Sequence, residues 1–500
     1  MKRLFPLLFV LLTSNASVAQ DHKEAYEAFR KQAQSSYSDF RSKCNERYAA
    51  FLEKAWESFQ SKEPLLKPKD DSPVPPVVYD DKQEGQRDDG HDGAPEDLID
   101  KDREVVAVKV INPPAITPQP QPVSPVEDNA SDKDAQLFSF CFYGTDMCVR
   151  MGELNRFTMK GTTEQDVADA WRYCSGECFN GVLNDCLSLR DKHALCDWAY
   201  LSMLRHLCSD FYGDGSNEAT LVSAYLFSQS GYKMKLARSA SDRLYMLIGS
   251  RHIIYELPYY TFDNYYYMPL DCDESSLRIC QGSFPSEQSI SFWIDKSMRL
   301  KESATDMRVL KSAKYPEAEV RVHVNRNLVN FFNDYPSSQM EDDYMTRWAI
   351  YANTPLSPDV ADELYPKLRE ILAGKGKAQA VAMLLDFVQT AFVYEYDDKI
   401  WGCDRPFFAE ETLYYPYCDC EDRSVLFSRL VRDLLGLRVI LVYYPGHLAT
   451  AVCLEEDVSG DCIMVGGERY TICDPTYIGA PVGRTMPGMD NAAANVILLR

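Results

Sequence analysis

Residues 61–134 hold 12 of the chain's 27 prolines. Runs such as Pro73-Val74-Pro75-Pro76 and Pro118-Gln119-Pro120-Gln121-Pro122 flank an acidic, glycine-containing patch from Asp80 to Asp92. Proline fixes φ and removes a backbone donor, and clustered carboxylates repel one another. A stretch of this kind cannot build a core and is expected to be an extended or disordered linker. It divides the chain, so the burial that drives folding must come from the segments on either side. Val105–Ile111 is the one β-like stretch within it. The whole chain of 500 residues is 45% hydrophobic and 26% charged. That balance is ordinary for a globular protein and confines disorder to such segments.

The first residues read as an address. Lys2 and Arg3 precede the apolar run Leu4–Leu12, and Ser17-Val18-Ala19 supplies small residues at a cleavage position. This order predicts a secretory signal peptide over 1–19. The run is too short to span a bilayer, and no other stretch approaches about 18 continuous apolar residues. An exported protein of the periplasm, cell surface or extracellular space is expected, with no transmembrane span.

Residues 20–60 read as a helical arm. Tyr26, Phe29, Tyr37, Phe40, Tyr48, Phe51, Trp56 and Phe59 recur mostly at spacings of three or eight. They would form one apolar stripe along a helix. The stripe could dock on the rest of the protein, self-associate, or present a surface to an envelope protein partner.

Charge excludes one class of partner. Asp and Glu number 75 against 53 Lys and Arg, a net charge of −22. Such a surface repels polyanions, so nucleic-acid binding is not expected. Sixteen cysteines are too few for a disulfide scaffold, and their connectivity cannot be read from spacing.

From about residue 135 the pattern becomes that of an α+β protein. Two stretches share an order of elements. In the second, Cys420-Glu421-Asp422-Arg423-Ser424 opens a helix that Gly436 ends. Leu437–Tyr444 reads as a strand, His447 follows, and Arg469–Cys473 is a strand that delivers Asp474-Pro475-Thr476. In the first, Gly215-Ser216-Asn217-Glu218-Ala219 opens a helix that Gly231 ends. Strands Tyr232–Ala237 and Leu244–Gly249 follow and lead to His252. Aligning Gly231 with Gly436 puts Gly215 opposite Cys420, and a one-residue slip puts Ser216 there. Residues 135–275 are therefore expected to be a degenerate copy of a C-terminal module at 357–500. Residues 276–356 would form a β-rich bridge, with Ile290–Ile294 and Glu317–Val324 as its strand candidates. Residues 357–373 and 376–392 read as helices.

Cys420, His447 and Asp474 suggest chemistry. A thiol at a helix N-terminus meets unpaired backbone N–H groups that favour the thiolate. Asp419 is a plausible cap for that helix, while Glu421 and Asp422 would oppose the thiolate by like charge. His447 could act as base and Asp474 as its orienting acceptor. A zinc site from Cys418, Cys420, His447 and Cys473 is the competing arrangement, but Cys-x-Cys lacks the usual ligand spacing. Neither a metal nor a cofactor is therefore called for.

The block resembles the transglutaminase-like superfamily, whose core is papain-like. That family carries Cys-x-Asp-x-(Ala/Ser) at a helix start, a His at the head of a strand and Asp-Pro-Thr after another strand. Here these are Cys420-Glu421-Asp422-Arg423-Ser424, His447 and Asp474-Pro475-Thr476, in the family's order and 27 residues apart in each step. The strong resemblance covers 376–500. Leu448 and Ala449 follow the His, where the family often has an aromatic, so the cleft wall differs. The resemblance implies a cysteine enzyme acting on amide bonds of a peptide or protein substrate through a thioester. Tyr414 or Tyr417 could assist at the oxyanion. A Cys403–Cys418 bridge would fix the cleft entrance. Glu410 and Glu411 read as a solvated acidic face near that cleft. A catalytically silent scaffold or binding protein is the alternative reading.

Overall fold

In the computed structural model the described residues run from 39 to 500, with a few between 26 and 36. The segments 1–25, 69–72, 81–103, 114–117 and 123–135 lie outside them, as do Asp273, Glu341, Asp342 and Asp457. The leader expected at 1–19 and most of the acidic patch fall there.

The arm does not stay helical to residue 60. A first helix, α1, is continuous from 39 to 52, and Trp56–Gln60 forms strand β1 instead. Tyr48 and Leu52 are buried, and the Tyr48 ring lies 4.6 Å from Trp171 and 5.6 Å from Phe284. Asn45 receives the Trp171 indole N–H at 3.0 Å and donates to Gln229 at 3.1 Å. The C-terminal half of the stripe is thus docked intramolecularly, while Tyr26, Phe29 and Phe40 are exposed.

The linker also contributes structure. Strands β2 (Glu104–Val106) and β3 (Lys109–Ile111) each join a sheet, so the β-like stretch becomes two short strands. A hairpin follows, β4 (Leu137–Phe142) with β5 (Thr145–Arg150). Then come helices α2 (Glu164–Cys174), α3 (Asn180–Lys192), α4 (Asp197–Tyr212) and α5 (Asn217–Gln229). Strands β6 (Met234–Arg238), β7 (Leu244–Ser250), β8 (His252–Ile254), β9 (Tyr260–Phe262), β10 (Tyr265–Pro269) and β11 (Ser276–Cys280) complete this half.

The stretch 276–356 mixes strands and helices rather than being β-rich. It holds β12 (Arg308–Lys311), β13 (Glu319–Val322), α6 (Arg326–Asn333), β14 (Ser338–Met340) and α7 (Thr346–Asn353). Ile290–Ile294 forms no strand and makes only an isolated bridge from Ile290 to Ser250. The C-terminal half has α8 (Pro358–Leu372), α9 (Lys377–Ala391), β15 (Val393–Tyr394), α10 (Asp397–Ile400), α11 (Ala409–Tyr414), β16 (Tyr417–Cys418) and α12 (Cys420–Leu435). Its last strands are β17 (Val439–Tyr444), β18 (His447–Val452), β19 (Cys462–Val465), β20 (Glu468–Cys473) and β21 (Asn495–Leu498).

The fold is α+β, and its two large sheets share one strand order. The C-terminal sheet runs β19-β20-β18-β17-β21, with β2 beyond β19 and β3 beyond β21. The other runs β9-β10-β7-β6-β11, with β1 beyond β11. Helices α5 and α12 precede equivalent strands and pack on them. The equivalent strands also occur in the same chain order. Each sheet is extended at the β11 or β21 side by a strand from the N-terminal region. Among the described residues, no helix is long and apolar enough to cross a membrane.

Candidate active site

Helix α12 is fixed at both ends by local chemistry. Asp419 caps it, its carboxylate accepting from the Glu421 and Asp422 backbone N–H groups at 3.1 and 3.4 Å. Asp422 returns the contact, accepting from the Asp419 N–H at 3.1 Å. Gly436 ends the helix in the left-handed region at φ 66°, which a residue with a Cβ adopts at a cost.

The first turn of α12 faces the head of β18. The Ser424 hydroxyl donates to the Leu448 carbonyl at 2.9 Å. Cys420 lies one turn earlier on the same helix face, and no hydrogen bond joins it to the His447 Nδ1. His447 begins β18 and is paired in register with Tyr444 on β17. Its Nε2 lies 2.9 Å from the Asp474 carboxylate. Its Nδ1 is buried and has no hydrogen-bond partner. All three side chains are enclosed, Cys420 at 6%, His447 at 1% and Asp474 at 3% exposure.

Asp474 follows directly on β20. One carboxylate oxygen accepts from the Thr476 and Tyr477 N–H groups at 2.8 and 3.2 Å, and the other faces His447. Gln389, buried on α9, organises this turn. Its amide donates to the carbonyls of Asp474, Tyr477 and Ala480 and accepts from the Gly479 N–H. Arg423 is buried on α12 and donates to the carbonyls of Gln389, Phe392 and Pro475. Sequence reasoning missed both residues, because each acts through backbone groups distant in the chain.

Tyr417 is exposed, and Tyr414 packs on Tyr415. Tyr394 on β15 pairs in register with Cys418. Its hydroxyl is buried without a hydrogen-bond partner. Burial, then the nearby Cys420 sulfur and Asp419, push this phenol far above its ordinary range. No motif marks Tyr394; only the β15–β16 pairing brings it to the site.

The opposition expected from the acidic first turn is weakened. Asp422 is fully enclosed and accepts the Phe407 N–H at 2.8 Å. Burial and then Asp419 push its carboxyl well up, which favours the neutral form. Glu421 accepts from the Trp348 indole and lies 4.0 Å from the Arg347 guanidinium. Asp397 is pushed up to about 9, by burial first and then by Asp419. Asp397, Asp419 and Glu421 bring carboxylate oxygens within 4.8 Å of one another. Among the described residues, the set Cys418, Cys420, His447 and Cys473 is not gathered as a metal-ligating group. Cys403 and Cys418 are unpaired, Cys403 being exposed and Cys418 buried.

Glu410 and Glu411 are not a solvated face. Both are buried, at 2% and 1% exposure. Glu411 pairs with Arg405 at 2.6 Å and accepts the Phe408 N–H at 3.0 Å. Glu410 accepts the Ser357 N–H, and its second oxygen has no partner. Burial pushes the Glu410 carboxyl up to about 7. The neutral acid is therefore preferred in the folded state. Below about pH 4.5 both folded and unfolded chains carry that acid. As pH rises the unfolded chain ionises first, and the folded protein loses stability until Glu410 ionises near 7. Glu410→Gln removes this loss. Its stability relative to wild type is expected to grow by on the order of 3 kcal/mol between pH 4 and pH 8, read by chemical denaturation at each pH.

Part of the linker lies along the loops that carry the site. The Val74 N–H donates to the Gly446 carbonyl at 3.1 Å, next to His447. Tyr79 donates to Ile478, and Ile478 donates back to Val77, at 2.9 and 2.8 Å. Val74, Val77 and Tyr79 pack on Tyr477, Ala480 and Met486. Replacing Val77 and Tyr79 by Asp should release this strap. Alkylation of Cys420 is then expected to accelerate several-fold, measured by peptide mass mapping.

No family model, curated protein or solved structure matches this chain.

Proposed function

We propose that this chain is an exported transglutaminase-like cysteine enzyme that opens amide bonds of a peptide or protein substrate. The observation that carries the reading is the His447–Asp474 contact at 2.9 Å, with the other imidazole nitrogen buried and unpartnered. A neutral imidazole donating Nε2–H to Asp474 leaves the Nδ1 lone pair as its base. Cys420 opens α12 on the face that also carries Ser424, whose hydroxyl bonds the Leu448 carbonyl beside His447.

In this reading the Cys420 proton passes to His447 Nδ1, and the sulfur attacks the substrate carbonyl. The Cys420 backbone N–H and the Tyr394 hydroxyl are the donors assigned to the oxyanion. The amine leaves with the proton held on His447, and a thioester remains on Cys420. Water, deprotonated by His447, or a second amine then takes the acyl group. Asp474 keeps the ring oriented and stabilises the imidazolium.

The test is the pH dependence of thiol reactivity. Iodoacetamide is applied from pH 5 to 9, and the modified cysteines are located by peptide mass mapping. Cys420 is expected to be the fastest of the sixteen cysteines and to keep its reactivity well below about pH 8. A Cys420 that reacts no faster than the others, and only as an ordinary thiol titrates, would favour the silent-scaffold alternative.

A further inference from the structure

The register of the two sheets locates the counterpart of the triad in the first half. Ser216 caps α5 as Asp419 caps α12; Gly436 is the C-cap of α12, and Gly231 lies one residue past Ser230, the C-cap of α5. Counting back from these glycines puts Gly215 opposite Cys420, whereas the helix caps put Asn217 there, so the counterpart of Cys420 is the start of α5 at Gly215–Asn217. On the strands, Tyr444 pairs with His447 where β17 meets β18. The same offset leads to Ser239, whose N–H donates to the Arg243 carbonyl at 3.0 Å. Arg243, not His252, therefore holds the position of His447. Cys473 pairs with Thr450, and Leu270 donates to Met246 at the equivalent rung, so Asp271 holds the position of Asp474. A Cβ placed on Gly215 would lie 3.4 Å from the Arg243 guanidinium. The start of α5, Arg243 and Asp271 therefore lie together, without a thiol or an imidazole.

In place of a closed triad stands an open pocket of about 190 Å³, and Gly215, Arg243 and Asp271 all line it. We propose that this pocket binds the α-carboxylate of an amino acid or of a peptide C-terminus. Asp271 is neutralised by Arg205. The Arg243 guanidinium lies 5.6 Å from the Tyr245 ring and has no carboxylate partner among the described residues. A guanidinium presents paired donors that match a carboxylate. Asp214, also on the rim, accepts from the Ser209 hydroxyl and offers its charge to a free ammonium group. Leu244, Met246 and Leu270 supply an apolar wall for a side chain. The volume suits one residue, not a long segment. The inference rests on the shared topology and does not require Cys420 to be catalytic.

Calorimetry on the full chain carrying Cys420→Ser, which cannot turn over a peptide, provides the test. The probes are L-leucine, N-acetyl-L-leucine and L-leucinamide at low ionic strength. At least one of the two carboxylates is expected to bind saturably, and leucinamide to bind at least about tenfold more weakly. Arg243→Gln, a change at an exposed side chain, is expected to weaken carboxylate binding by at least about tenfold while leaving the thermal midpoint unchanged. Tighter binding of leucine than of acetyl-leucine identifies a free amino acid, with Asp214→Asn removing the difference. The reverse order identifies a peptide C-terminus. No saturable binding of either carboxylate, equal binding of leucinamide, or an Arg243→Gln protein that binds as wild type would overturn the proposal.

Discussion

Replacing Cys420 by serine is expected to reduce amide turnover by on the order of 10⁴-fold or more, with stability changed by less than about 1 kcal/mol. The two expectations have separate origins. Serine nearly preserves the volume at the start of α12, and the helix is fixed by Asp419 and Gly436 rather than by the sulfur. The hydroxyl, in contrast, is far less acidic than a thiol, and neither the helix N-terminus nor His447 compensates for that difference. The measurement is release of amine from a peptide library by wild type and variant, with a denaturation curve for each. His447→Ala should produce a similar loss of turnover. If Cys420→Ser retains the activity of wild type, the sulfur is not the nucleophile. A large loss of stability in the same variant would show that the cysteine is chiefly a packing residue.

The second large effect is structural. Arg423→Met is expected to destabilise the protein by about 3–5 kcal/mol. Arg423 is 1% exposed, and its two terminal guanidinium nitrogens donate to carbonyls from the end of α9, from Phe392 and from the Asp474-Pro475 turn, while its Nε has no partner. Methionine fills much of the space but leaves those carbonyls without a donor in a dry interior. Lysine is not expected to rescue, because a single ammonium cannot reach acceptors spread across the two guanidinium arms. The loss is read from the denaturation midpoint. It should be accompanied by slower alkylation of Cys420, because the turn holding Asp474 would lose its support. A stability change below about 1 kcal/mol would mean that water enters and replaces the guanidinium.

The C-terminal block was legible because its signals are local. Asp419 before a helix, Gly436 after it, alternating apolar runs and Asp-Pro-Thr after a strand each act within a few residues. Their positions in the structure match to within two residues. Gly231 was legible for the same reason, and it allowed the two halves to be aligned. Trp56–Gln60 was not legible, because Trp56 and Phe59 continue a helical spacing. Their strand form is set by pairing with Ser276–Cys280, far along the chain. Glu410 and Glu411 were misread because adjacent charges normally stay in water, and contacts from Ser357, Arg405 and the Phe408 N–H hold them inside. Tyr394 and Gln389 carry no pattern at all. Their roles come from where β15 and α9 end relative to Cys420 and Asp474.

The edge strands contributed by the N-terminal region constrain the order in which the chain can fold. Glu104 pairs with Cys462 and Lys109 with Asn495. These partners are about 360 and 390 residues apart, and closure of so long a loop depends only weakly on its length. The cost lies in timing. A chain made from its N-terminus has β1, β2 and β3 available early, while β19 and β21 emerge last. β1 can pair once β11 is made, whereas β2 and β3 have no edge to join until β19 and β21 are made, and until then the C-terminal sheet stays open on both sides. The Asp474 turn lies 54 residues after Cys420, so a nascent chain holds the thiol before it holds the turn. Reactivity at Cys420 should therefore develop only once β19 to β21 have been made and paired.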